Sequence, residues 1–145
     1  MSYAVCCIPV SSLRTAPSHT AAMISQQLFG ECCTIIEKKD NNWLRVVCKY
    51  DACAGWCLSG DVSEIDEEHF YRKEKNITAG WINEIDYNGH HMMVPLGSSL
   101  TAMKNGSAFW RKSRVHFSGE VWDPENARRE SRLIKQQAFK ILNST

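Results

Sequence analysis

The sequence predicts a mainly β protein: two small barrels in tandem, followed by a C-terminal helix. Three observations predict it. Residues 1–60 carry short apolar and β-branched runs separated by turn residues, the pattern of a small closed sheet. Residues 77–122 carry further runs of that kind around Asn88-Gly89, a strong two-residue hairpin signal. Helical periodicity is confined to the end of the chain, where Ile134, Ala138, Ile141 and Leu142 form one apolar stripe.

In order, Ala4–Val10 reads as a strand and Ser11–Ser18 as a polar loop closed by Pro17. Met23–Phe29 has a mixed pattern that Gly30 interrupts, and Cys32–Ile36 is the next strand. Lys38-Lys39-Asp40-Asn41-Asn42 is a turn by composition. Beyond it Trp43–Cys48 alternates, with Trp43, Arg45 and Val47 on one face and Leu44, Val46 and Cys48 on the other. Asp51–Gly55 turns the chain, and Trp56–Leu58 closes the first barrel, which occupies residues 1–60. A barrel also removes the open edges that so short a sheet would expose.

Residues 61–76 read as an acidic linker, since Asp61, Glu64, Asp66, Glu67 and Glu68 crowd its start. In the second barrel, 77–122, Ile77–Ile82, His91–Leu96, Ala108–Trp110 and Arg114–Phe117 have strand character. No internal repeat relates the two halves. The helix of residues 123–145 has Asp123 as cap, Pro124 at its first position and Glu125 at the positive end of its dipole.

The 145 residues carry a formal charge of +1, which supplies no basic field for nucleic acid. No apolar run approaches the roughly 20 residues of a membrane span, and the first residues lack the basic and apolar regions of a signal peptide. The 7 cysteines leave at least one thiol unpaired in a monomer. Cys6-Cys7 and Cys32-Cys33 are adjacent, and Cys48, Cys53 and Cys57 follow, with no C-x-x-C pair among them. The expectation is reduced, mostly buried thiols, no metal, no cofactor and a cytoplasmic location, or a periplasmic or secreted one if a signal peptide has been removed.

Cysteine-peptidase chemistry requires a thiolate and a histidine base in contact. His19, His69, His90, His91 and His116 are present, yet no local signature joins any of them to a cysteine. Cys57 before Leu58-Ser59-Gly60 lies on an expected strand, away from a helix start where a dipole would lower its pKa. These residues are therefore expected to hold no catalytic group.

One resemblance gives the residues a context. Leu13-Arg14-Thr15-Ala16-Pro17-Ser18, then Gln26-Gln27-Leu28-Phe29-Gly30-Glu31, Trp43 and Gly55-Trp56 resemble a bacterial SH3-type barrel. More narrowly they resemble the barrels that precede the catalytic domain of NlpC-type cysteine peptidases, which cut peptidoglycan stem peptides. Val94-Pro95-Leu96-Gly97-Ser98 and Gly119-Glu120-Val121 are similar to that family's second SH3-like barrel. Ala138–Thr145 resembles the helix just before its catalytic domain, whose Asp-Cys-Ser-Gly motif is absent here. The resemblance implies a non-catalytic module that positions a stem peptide with a free N-terminal L-Ala, for cleavage at a γ-D-glutamyl–diamino acid bond by a domain beyond Thr145.

In that family the first barrel reads the peptide's ammonium, and the matching residue here is Glu31, the carboxylate of the Phe-Gly-Glu turn. A carboxylate suits an ammonium through charge-assisted hydrogen bonds. Family members also carry a tyrosine two residues before Gly-Trp; this chain has Cys53 there, with Tyr50 and Asp51 just upstream. Glu31, Tyr50, Asp51 and Cys53 are thus the candidate substrate-binding residues. The alternatives are a stand-alone module binding cell-wall peptide or a protein partner, and an inactive scaffold paralogue that associates through its last helix.

Overall fold

The computed structural model describes residues 2–39, 42–73 and 76–122. The fold is mainly β, in several antiparallel sheets. The helix expected over 123–145 lies outside the described residues.

The first sheet contains β1 (Ser2–Cys6), β2 (Val10–Arg14), β3 (Met23–Leu28), β4 (Cys32–Lys39), β5 (Trp43–Cys48), β6 (Ala54–Leu58) and β7 (Val62–Ile65), ordered β3-β2-β6-β5-β4-β1-β7. Register shifts at Leu13/Arg14 and between Ile35 and Glu37 add bulges, which increase the local twist and help the sheet curl. Its inner face gathers Ala4, Leu13, Cys33, Ile35, Leu44, Val46, Cys48 and Cys57.

Several expectations change here. The strand expected over Ala4–Val10 ends at Cys6, Ser11–Arg14, expected within a polar loop, belongs to strand β2, and the mixed stretch Met23–Leu28 is its partner β3. Only Ser11, Leu13 and Gln27 of these two strands are buried, so the apolar alternation is too sparse to read. The acidic segment is not merely a linker. Val62–Ile65 pairs with β1, and Glu67–Phe70 forms a one-turn helix, α1. Asp66 caps α1 by accepting the His69 N–H at 2.8 Å, and Glu67 and Glu68 occupy its first turn. The carboxylates face solvent while Ile65, His69 and Phe70 turn inward.

The second half contains β8 (Ile77–Thr78), β9 (Asn83–Tyr87), β10 (His90–Val94), β11 (Ser107–Trp110), β12 (Ser113–His116) and β13 (Val121–Trp122). A four-stranded sheet has the order β10-β9-β12-β11, and β13 pairs with β8. Asn88 and Gly89 both have positive φ, 51° and 83°, as the tight hairpin turn requires. The strand that enters this turn is β9; of Ile77–Ile82 only Ile77–Thr78 is strand. Asn83 explains the difference. Its side chain accepts the Gly80 N–H at 3.0 Å and donates to the Gly80 carbonyl at 2.7 Å, which bends 80–83 and leaves Trp81 and Ile82 exposed.

The two halves share a core. Val5, Phe29, Cys32, Ile65 and Phe70 pack with Ile85, Val94, Leu100, Ala108, Trp110, Val115 and Phe117. Strand alternation makes this possible. On β1 and β4, the register partners Ala4 and Cys33 face the inside of the first sheet, while Val5 and Cys32 face the second half. Each large side chain buried in this joint core contributes about 1.5–3 kcal/mol.

Candidate functional site

The Phe29-Gly30-Glu31 turn between β3 and β4 sits on that seam. Gly30 has φ +82°, and a Cβ there would lie 1.9 Å from the Ser99 carbonyl oxygen, so only glycine fits without displacement. The turn is held from both sides. Gly30 N–H donates to the Cys6 carbonyl and Cys6 N–H to the Glu31 carbonyl, each at 2.8 Å, and Ser99 N–H donates to the Phe29 carbonyl at 2.8 Å.

Glu31 is half-buried. Its Oε1 accepts the Leu28 N–H at 2.6 Å, while its own N–H donates to the Leu28 carbonyl at 3.0 Å. Among the described residues the carboxylate accepts no other hydrogen bond. Burial pushes its pKa up, the Leu28 bond opposes this, and the neighbouring Asp51 carboxylate pushes it up further.

Asp51 stands on the loop between β5 and β6. Its Oδ1 accepts the Cys53 N–H at 3.0 Å, a local bond typical of turn aspartates, and Ala52 takes φ 57° beside it. The loop is closed by Cys48 N–H donating to the Cys53 carbonyl and Ala52 N–H to the Cys48 carbonyl, both at 2.9 Å. Tyr50 is 86% exposed, and Cys53 is half-buried at the rim. Glu31 and Asp51 therefore form one acidic rim, with Cys53 bonded to Asp51. Tyr50 belongs to the same loop, and its side chain stands in solvent.

Lys49 contributes in a way the sequence does not signal. Its N–H donates to the Cys32 carbonyl at 3.0 Å. Its ammonium turns away from the acidic rim, donates to the carbonyls of Phe70 and Arg72, and stands 5.1 Å from the Phe70 ring centre. The Lys49 ammonium is thus engaged at the end of α1. Among the described residues neither Glu31 nor Asp51 has an ion-pair partner.

Burial works against a nucleophilic role for six of the thiols. Burial raises all of Cys6, Cys7, Cys32, Cys33, Cys48 and Cys57, with Cys32 at about 11 and Cys48 and Cys57 at about 12. All seven are free; five are buried, and Cys7 and Cys53 are partly accessible. His69 is also buried, its ring edge-on to Trp110 at 5.6 Å with Nε2 unpartnered, and burial lowers its pKa to about 4. Among the described residues no group of His, Cys, Asp and Glu has the arrangement of a metal site.

This geometry has relatives. Residues 13–62 match the family model of the bacterial dipeptidyl-peptidase SH3 domain. Residues 13–62 are thus similar to a bacterial SH3 domain of the peptidase-associated type. Among solved structures it is similar to an NlpC/P60 family protein from Bacillus cereus ATCC 10987, with a TM-score of 0.62 and 12% sequence identity. The likeness covers 84% of this chain and 57% of that one, so the shared fold extends well past residue 62 while the relative is considerably longer. No match is found among curated proteins.

Proposed function

We propose that this chain is the substrate-recognition region of a cell-wall peptide hydrolase of the NlpC type, and that its acidic rim reads the free ammonium of a stem peptide beginning with L-Ala. The observation that carries this reading is the half-desolvated Glu31 carboxylate with the Asp51 carboxylate acting on it, neither having an ion-pair partner among the described residues. Such a pair favours a bound cation electrostatically, and a partly dry site strengthens each charge-assisted bond. An ammonium has three donors and can use Glu31 and Asp51 together. Tyr50 stands ready to cover the peptide, and Cys53, in place of the family tyrosine, leaves more room at the rim.

In this reading the amide hydrolysis of the γ-D-glutamyl–diamino acid bond is performed by a catalytic domain following Thr145, and the module acts in cytoplasmic recycling of murein peptides. The free thiols support a reducing location. The test is binding of L-Ala-γ-D-Glu-diamino acid tripeptide, followed by amide chemical shifts, against the same peptide N-acetylated. The free peptide should shift the amides of Leu28, Glu31 and Cys53, and the acetylated one should not. Glu31→Gln should weaken binding about 10-fold, the size of one charge-assisted bond. Equal binding of both peptides would remove amine recognition. Unchanged spectra with both would remove this substrate class.

A further inference from the structure

The loop that carries Tyr50 and Asp51 is bracketed by two thiols. Extending the β5–β6 register of Val46↔Gly55 and Val47↔Ala54 by one step places Cys48 opposite Cys53, and the bond from Cys48 N–H to the Cys53 carbonyl at 2.9 Å holds them there. Opposed residues in an antiparallel pair project to the same face with Cα atoms about 4.5–5.5 Å apart, within the range that a disulfide spans. The alternation agrees: Val46 and Cys48 point into the first sheet's core, and Cys53 lies at the rim of that face.

We propose that Cys48 and Cys53 are an oxidisable pair, closing to a cross-strand disulfide that locks the 49–52 loop when a small-molecule disulfide is supplied as oxidant. This goes beyond peptide recognition and holds whether or not the loop binds a peptide. The chemistry is two thiol–disulfide exchanges. The accessible Cys53 loses its proton, and its Sγ attacks one sulfur of the reagent; the reagent's S–S bond breaks, and the departing thiolate takes up a proton. Cys48 then loses its proton and attacks Cys53 Sγ, forming the Cys48–Cys53 bond and releasing the second reagent half as a thiol. The protein gives up two protons and two electrons, and the reagent becomes two thiols.

The order follows from access. Cys53 is partly exposed, whereas burial holds the Cys48 thiol protonated, so Cys48 serves as the resolving partner. Cys33 is the competitor, since it opposes Cys48 on the other side, but it is fully buried.

The test is incubation of the whole chain with oxidised glutathione, then trypsin and chymotrypsin without reductant and mass spectrometry. Trypsin cuts after Arg45 and Lys49, and chymotrypsin after Tyr50 and Trp56, so the link to Cys53 is separable from one to Cys57. The expected product joins Val46–Lys49 to Asp51–Trp56, at least 10-fold more abundant than any other linked pair, and dithiothreitol reverses it. Cys48→Ser should stop at a glutathionyl group on Cys53, and Cys53→Ser should leave Cys48 unmodified. A persistent glutathionyl group on wild-type Cys53, a Cys33–Cys48 link in its place, or no modification at all would overturn the proposal.

Discussion

Gly30 offers the most direct test of the joint core. Gly30→Ala places a methyl group 1.9 Å from the Ser99 carbonyl oxygen and 2.7 Å from its carbon, both backbone atoms. The turn cannot relax toward β1, because Gly30 N–H and the Glu31 carbonyl are both bonded to Cys6. The second half must therefore shift, which breaks the Ser99-to-Phe29 hydrogen bond. A side chain at positive φ costs about 1–2 kcal/mol. A lost buried hydrogen bond with one group orphaned adds about 1–3 kcal/mol. The expected destabilisation is about 2–5 kcal/mol, a large share of the 5–15 kcal/mol that ordinarily holds a domain together. Gly89→Ala is the control: it has φ +83° with nothing within 4 Å, so it should lose only the conformational part, about 1–2 kcal/mol. Urea unfolding of both variants, followed by tryptophan fluorescence, measures the difference. Equal losses would refute the claim that this turn bears against the second half.

Two further predictions concern groups buried in or near the seam. His69 has its folded pKa depressed from 6.5 to about 4, so its contribution to stability is present above about 6.5 and is lost as pH falls toward 4. That gap corresponds to about 3 kcal/mol, reduced to about 1–2 kcal/mol by screening from Asp66 and nearby solvent. Glu31 and Asp61 act with the opposite sign, since burial raises both. The effect of His69 is therefore read as wild type minus His69→Phe in urea unfolding between pH 7 and pH 4, where a flat difference would contradict it. Thiol counting with a chromogenic disulfide reagent should find two fast groups, Cys7 and Cys53, in native protein and the other five after denaturation. Prompt reaction of all seven in native protein would contradict the buried placement.

The β class and much of the strand order were legible because Cys32–Ile36, Trp43–Cys48 and the Asn88-Gly89 turn carry strong local signals. β2, β3 and β7 were not, for one physical reason. Their buried faces hold polar or few apolar residues, such as Ser11, Gln27 and the lone Ile65, so period-2 alternation is weak. The acidic composition of residues 61–68 marked solvent exposure correctly on Glu64, Asp66, Glu67 and Glu68, but hid the inward Ile65 and Phe70. Among candidate site residues, Glu31 came from the family motif rather than from periodicity, and Asp51 and Cys53 from their distance to Gly55-Trp56. Lys49 was invisible because its partners are the carbonyls of Phe70, at the end of α1, and Arg72 just beyond it, and backbone acceptors leave no mark on the sequence.

The two-sided burial of β1 and β4 connects these results. A strand that walls one barrel needs only every second residue apolar; here Ala4 and Val5, and Cys32 and Cys33, are buried in adjacent pairs because each strand serves two cores. The adjacent Cys32 and Cys33 thus face the two sides of one shared wall. The wall also explains why the acidic rim is well defined. Glu31 follows a turn whose carbonyl at Phe29 is held by Ser99, and the Asp51 loop follows Lys49, which is held by the end of α1. α1 in turn packs His69 on Trp110 and Phe70 into the joint core. Both carboxylates stand on the first barrel, yet each is braced by packing against the second half. A first barrel cut away from residues 77–122 would keep Glu31 and Asp51 but lose the packing that braces their turn and loop, so under the proposed reading the second half shapes the site without supplying a residue to it.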